Sequence, residues 1–263
     1  MPKVNRHLKV LTDGVPFAEN SHFHLYGKVS IGLYPDLFLL ECWNLSDQDV
    51  FQLQNTKELS VMRDDSCLVF GQVSDVFCRT VPEGTVTTAA FSLGLNLWES
   101  QISLAVPAGA TVSETVRLVL EDSGTGIQLL SFPGEDPVFT RGQAFCGRAA
   151  ECITEALSRV SNGEASNAAR ARCYLVPAGL CIILVDPLPP TLHLSESDLT
   201  DRPAVVDRGR KMILSTTVTG FQPGEEMTLQ YKGTTSAGLI LERMTDADTG
   251  KGPWRTELLI ERR

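Results

Sequence analysis

Asp246-Ala247-Asp248-Thr249-Gly250-Lys251-Gly252-Pro253-Trp254, "DADTGKGPW", is the stretch on which the fold turns. Two acids one residue apart suit a calcium loop, Gly-Lys-Gly suits a phosphate loop, and a polar run between apolar segments suits a hairpin tip. An EF-hand loop needs oxygen ligands at alternating positions, a central glycine and a closing bidentate glutamate. Asp246, Asp248 and Gly250 fit that pattern loosely, and Glu257 closes it at the twelfth place when Asp246 is first. Asp246, Asp248 and Glu257 are therefore the candidate metal ligands. Against them, Gly252 stands where another ligand belongs, and the flanks read as strands rather than helices. The hairpin is the stronger expectation. A phosphate loop requires GxxxxGK followed by Ser or Thr at a helix start. Here Gly252-Pro253 follows Lys251 and a strand comes next, so that chemistry is excluded.

Working outward, "AGLILERM" before the loop and "WRTELLIERR" after it form a final strand pair. Upstream, "RGRKMILSTTVTGFQPGEEMTLQYKG" gives two more strands around Pro223-Gly224, and "RCYLVPAGLCIILVDP" gives a hairpin around Pro177-Ala178-Gly179. "PLPP" is a rigid joint, and residues 164–170 are a small, polar loop. In the middle of the chain the period changes. "GATVSETVRLVLEDSGTG" opens with Thr111 and Glu114 in a capping box, spaces Val112, Val116, Val119 and Leu120 helically, and ends at Gly124. "TRGQAFCGRAAECITEALSRVSNG" repeats the formula with Thr140 and Gln143, an apolar line from Phe145 to Val160, and Gly163 as the stop.

The N-terminal portion is again β. "HLKVLTDGVPF" alternates into Asp13-Gly14, a strong hairpin signal. "PDLFLLECWNL" is apolar on nearly both sides, as a strand covered on both faces would be. "KELSVMRDD", "CLVFGQVSDVFCRTV" and "TVTTAAFSLGLNLWESQISLAV" add further strands rich in β-branched residues, so a barrel or sandwich is expected. The order is β, two short helices, then β again. The divisions fall at residues 1–106, 107–171 and 172–263.

Composition sets the outer bounds. Hydrophobic residues make up 43% and charged residues 21%, the balance of a globular chain with a real core. A net charge of -9 argues against a sequence-independent grip on DNA, and "RGRK" at residues 208–211 suits a solvated turn better than a nucleic-acid patch. Seven cysteines with no CxxC pair, behind a start lacking a signal-peptide apolar core, suit free thiols in a reducing cytoplasm. Cys146 and Cys152 fall on the second helix and Cys173 and Cys181 in the hairpin, all as core fillers. The longest apolar run, residues 178–185, is too short to cross a bilayer, so a soluble protein with no membrane span is expected.

Few residues carry chemistry. His22 and His24 share one side of a strand, a possible metal geometry, but lack a third ligand nearby and suit solvent-exposed positions better. No GxSxG elbow or HExxH stands in the chain, and nothing pairs Ser, His and Asp. A carboxylate pair for glycoside cleavage would be assembled only by the fold. Trp43, Trp98 and Trp254 suit sugar stacking or, more economically, core filling.

The order of short motifs resembles the tail baseplate hub proteins of long-tailed phages, the late control protein D group whose fold also forms the base of type VI secretion spikes. Asn44-Leu45-Ser46 sits where that family ends a strand, and Val69, Phe70, Gly71 and Val73 where it runs into the next. Residues 109–120, 142–160 and 173–185 match its two helices and hairpin. Pro223-Gly224, Met227 and Leu229, then Gly238, Leu239 and Ile240, then Trp254, Thr256 and Leu258 match its closing strands. Met244 stands where the family commonly has histidine, which leaves no inherited role there. The resemblance covers nearly the whole chain.

It implies a mainly β protein with a small α+β insert, two tube-type β-barrels, and a homotrimer forming a pseudo-sixfold ring. The implied role is structural and non-enzymatic, without cofactor. The ring adapts the sixfold tail tube to the threefold spike or central baseplate protein of a phage, prophage or contractile injection system, beside other baseplate proteins. DNA would only pass through its lumen. The implied location is the virion, after synthesis in the host bacterial cytoplasm. A tail-associated cell-wall hydrolase and a lectin-like receptor-binding module are the rival expectations.

Overall fold

The computed structural model describes residues 6–63, 66–132, 136–161, 172–176, 179–183 and 192–262. The turn residues Pro177 and Ala178, the joint at 187–190 and the loop at 164–170 lie outside them. Contacts divide the chain into one unit of residues 1–30, 36–93 and 189–263 and a second of residues 31–35 and 94–188.

In the first unit, β1 (Lys9–Thr12) and β2 (Val15–Phe17) form the hairpin expected of Asp13-Gly14. Both turn residues adopt positive φ, 48° and 80°, which the mirror-image turn requires and which Gly tolerates without strain. β3 (His22–Ser30) and β4 (Asp36–Trp43) follow, then α1 (Asp47–Gln54), β5 (Glu58–Arg63), β6 (Ser66–Val81) and β7 (Gly84–Leu93). Ser46 caps α1 in a capping box with Asp49, which explains why a polar stretch forms a helix there. The same unit resumes with β13 (Leu192–Ser195), β14 (Ala204–Val206), β15 (Lys211–Thr216), β16 (Glu226–Tyr231), β17 (Thr234–Asp248) and β18 (Trp254–Arg262).

Among the described residues these thirteen strands make one sheet, ordered β14-β15-β18-β17-β3-β4-β7-β6-β5-β1-β2, with β16 also on β17 and β13 on β16. The N- and C-terminal strand sets meet where β3 pairs antiparallel with β17, from Ser30↔Glu242 to His24↔Asp248. A register shift between Ile240 and Glu242 lets β17 serve both sets, its early residues pairing with β16 and its later ones with β3. One face is dry: Phe23, Leu25, Phe38, Leu40 and Phe91 are at most 1% exposed, and Leu194, Leu214, Met227, Ile240, Leu258 and Ile260 pack as a second cluster. β4 departs from the two-sided burial expected of it. Phe38, Leu40 and Cys42 are sealed, whereas Leu37 on the opposite side is 52% exposed.

The second unit holds α2 (Leu95–Glu99), β8 (Gln101–Val106), α3 (Val112–Asp122), β9 (Leu129–Ser131), β10 (Gln143–Arg148), α4 (Ala149–Ser161), β11 (Arg172–Val176) and β12 (Gly179–Ile183). α3 carries the expected Thr111–Glu114 capping box. The second helix starts later than its spacing suggests. Residues 143–148 are a strand because β8 offers them a complete antiparallel ladder, Gln143↔Val106 through Arg148↔Gln101. Gly147, at φ 136°, then lets the chain turn into α4. Cys146 is accordingly exposed on β10 instead of filling a core, while Cys152 is buried on α4. Residues 95–99, expected to be strand, form α2. Within this unit β8 pairs with β10, and β11 and β12 join β9.

Candidate functional site

"DADTGKGPW" is a hairpin tip. Asp246 to Asp248 end β17, Trp254 begins β18, and Ala247 pairs with Trp254 across the ladder. The intervening loop is tied to β3 from both sides. Thr249 N–H donates to Phe23 O at 2.9 Å and Thr249 Oγ1 accepts the Phe23 N–H at 2.9 Å. Arg6 Nη1 donates to the carbonyls of Gly250 and Gly252 at 3.2 and 2.9 Å. Asp248 Oδ1 accepts the Gly250 N–H at 2.6 Å, folding the tip back on its own carboxylate.

The register of β17, β3 and β4 brings together what the sequence holds more than 200 residues apart. His22 Nε2 lies 2.7 Å from Asp248 Oδ1. His24 sits between two acids, its Nε2 2.9 Å from Asp246 Oδ1 and its Nδ1 3.3 Å from Glu41 Oε2. Arg79 on β6 reaches Glu41 Oε1 at 2.5 Å, and Arg255 on β18 approaches both Asp246 and Glu257 at 3.5 and 3.2 Å. The His22 ring stacks on Trp43 with centroids 4.2 Å apart. This is one charged band across β18, β17, β3 and β4, joined by Arg79 from β6.

Both histidines are thus partly buried and engaged, not the solvent-facing residues expected; the side chain of His24 is 20% exposed. Of the calcium candidates, Asp246 and Glu257 face the Arg255 guanidinium, and Asp246 and Asp248 meet the rings of His24 and His22. Among the described residues no group of three or more His, Cys, Asp or Glu has metal-holding geometry. Burial pushes the Asp248 carboxyl up, but the His22 contact, the Gly250 N–H and the nearby imidazoles outweigh it and hold the group below the usual carboxylate range. Burial, reinforced by the Glu41 charge, raises the Tyr26 phenol next to the band.

Of the tryptophans, Trp254 is buried and lies beneath the Arg63 guanidinium, 5.3 Å from the ring centroid. Trp43 and Trp98 are half-buried; Trp98 stacks on Tyr34 and carries Arg148 over its ring. "RGRK" is an exposed turn, with Arg208 at φ 53°. Met244 is an exposed strand residue of β17.

Sequence reading passed over Arg243. It is 2% exposed, donates from Nη1 to Phe221 O at 2.7 Å and from Nη2 to Leu68 O at 2.6 Å, and its Nε has no hydrogen-bond partner among the described residues. Burial depresses its pKa to about 10. Its neighbours in sequence, "ERM", alternate like any strand, so the local pattern held no signal of it.

No protein-family model and no curated protein sequence matches the chain. Solved structures do. A tail protein from Neisseria meningitidis aligns with 97% of this chain and 96% of its own, at TM-score 0.72 and 12% identity. The E. coli c3393 protein, a type VI secretion component with structural similarity to the T4 phage tail proteins gp27 and gp5, aligns with 97% of this chain and 77% of its own, at TM-score 0.67 and 11% identity. The 43 kDa tail protein of prophage MuSo2 from Shewanella oneidensis aligns with 98% of this chain and 97% of its own, at TM-score 0.66 and 11% identity. The chain therefore has the mainly β, antiparallel fold of phage tail proteins and of a type VI secretion component.

Proposed function

We propose that the chain is a structural protein of a phage or phage-like tail, and within it the baseplate hub. Three copies, each contributing two tube-type β modules, close a pseudo-sixfold ring that meets the tail tube on one side and the threefold spike or central baseplate protein on the other. The observation that carries this is the end-to-end likeness to the Neisseria tail protein, nearly complete for both chains. Short edge strands support ring closure. β2 and β14 end the sheet among the described residues, with Val15 57% and Val205 56% exposed, and paired edges between copies would cover them. The net charge of -9 supports a passage along which DNA slides without sticking. The charged band at the hairpin tip ties β17 to β3 and β4 through its histidine–carboxylate contacts.

Co-expression with the cognate tail tube and spike proteins, followed by electron microscopy, tests the proposal. Rings with threefold symmetry and a sixfold-like face, seated between tube and spike, are the expected result. A lumen lined by Lys and Arg would end the charge argument. Clearing of peptidoglycan by the purified chain would favour a hydrolase, and glycan binding by the monomer a receptor-binding module; either would overturn the structural role.

A further inference from the structure

β6 is paired along both edges only in its first half. β5 runs beside it from Arg63↔Ser66 to Glu58↔Gln72, and the last bond on that side is Val73 N–H to Lys57 O at 2.9 Å. From Asp75↔Ala90 to Val81↔Gly84 only β7 pairs with it among the described residues. Among the described residues, positions 75–81 therefore leave one backbone edge open, and residues 77–80 are all exposed, Phe77 to 45%. A seven-residue edge with Val, Phe, Cys and Thr and without Lys or Pro is a template for another strand.

The edge is complementary to itself. Read as Asp75-Val76-Phe77-Cys78-Arg79, it places an acid and a base symmetrically about a phenylalanine, all three on one face. Val73 N–H faces the β5 side, and alternation past the extra residue at Ser74 turns the Val76 backbone groups to that side too, where the Val76 N–H is held by the Asp75 carboxylate at 2.8 Å. Alternation puts the Cys78 backbone groups on that side as well.

We propose that residues 75–81 are the docking edge for a second copy of this chain, in a two-fold antiparallel pairing centred on Phe77. Phe77 then faces the partner's Phe77 as a non-hydrogen-bonded pair with Cα atoms about 4.5 Å apart. Cys78 N–H donates to the partner's Val76 carbonyl, and the Val76 N–H gives up its own Asp75 carboxylate for the partner's Cys78 carbonyl as that carboxylate turns to the partner's Arg79. Asp75 stands opposite the partner's Arg79, and the pair repeats across the axis. Arg79 already meets Glu41 at 2.5 Å, but a guanidinium has five donors and reaches a second carboxylate without losing the first. The contact is isologous and joins copies in pairs, so it is independent of the threefold ring.

The test uses the full chain in sedimentation equilibrium. The parent self-associates pairwise, and Asp75→Arg and Arg79→Asp each weaken association about tenfold, because like charges then face one another twice. An equal mixture of the two variants recovers parental affinity, since opposite charges again meet at both pairs. Both positions are exposed, and an unchanged far-UV spectrum checks the fold. Phe77→Cys in a Cys78→Ser background gives a disulfide-linked dimer under mild oxidation, which Cys78→Ser alone does not, as Cα atoms at that separation allow the bond. A monomeric parent overturns the proposal, as does association that neither charge reversal weakens or that the mixture fails to restore. A trimer indifferent to both reversals likewise overturns the proposal and leaves the ring standing.

Discussion

Replacing Arg243 tests whether a buried cation at the meeting of the two strand sets holds them together through its hydrogen bonds or through its stem. Arg243→Met removes the donors to Phe221 O and Leu68 O, which lie 2.7 and 2.6 Å away, and keeps an unbranched apolar chain. Two buried carbonyls left unpaired cost about 2 kcal/mol each. Against that, a guanidinium whose pKa falls to about 10 is penalised in its charged form, a penalty of about 3 kcal/mol that the thioether does not carry. The net expectation is a loss of about 1 kcal/mol. Arg243→Ala also deletes the buried stem and adds a cavity worth about 3 kcal/mol, for a total of about 4. Urea unfolding checks this through the midpoint at unchanged slope. Equal losses for Met and Ala would refute the reasoning, because the carbonyl bonds alone would then account for the role of Arg243. A Met variant more stable than the parent would show that holding the charge away from water costs more than its bonds return.

Gly71→Ala should destabilise by about 1–3 kcal/mol in the same assay, because its Cβ would stand 2.6 Å from Ser92 C and O and a backbone cannot step aside. Asp248 has a depressed folded-state pKa, so its stabilisation is fully present above the unfolded carboxylate value near ~3.9 and is lost as pH falls through the lower folded value. Asp248→Asn should therefore lower stability at neutral pH and flatten the stability profile below about pH 4, as acid titration of circular dichroism would report. Cys146, exposed on β10, should react at once with a thiol reagent. Cys42, and Cys173 with its thiol pushed up by burial to about 12, should react only on unfolding, as timed absorbance would show.

Much of the local architecture was legible before any coordinates. Asp13-Gly14 specifies its hairpin because few other pairs tolerate two left-handed residues, and Thr111 with Glu114 specifies the start of α3 because the box satisfies orphan N–H groups within four residues. The alternation Trp254, Thr256, Leu258, Ile260, each buried, is the two-residue period of β18 written in the chain. The segment from Gln143 to Arg148 was misread because its apolar spacing continues smoothly into α4, and a spacing does not reveal that β8 stands ready to pair with it. The candidate site was half visible. His22, His24, Asp246 and Asp248 could be singled out by type, but their partners in β3 and β17 are chosen by a register that no short window contains.

The amino-acid sequence by itself determined the turn at Asp13-Gly14, where the first long helix begins and which face of β18 is dry, since each depends on neighbours within a few residues. Only the tertiary structure decided that the first and last strand sets share one sheet, that Arg243 is sealed between two carbonyls, and that the second half of β6 is left open along one side among the described residues. Strand partners are set by hydrogen bonds and packing between residues far apart in the chain, and those competing pairings are settled only when the whole sheet assembles.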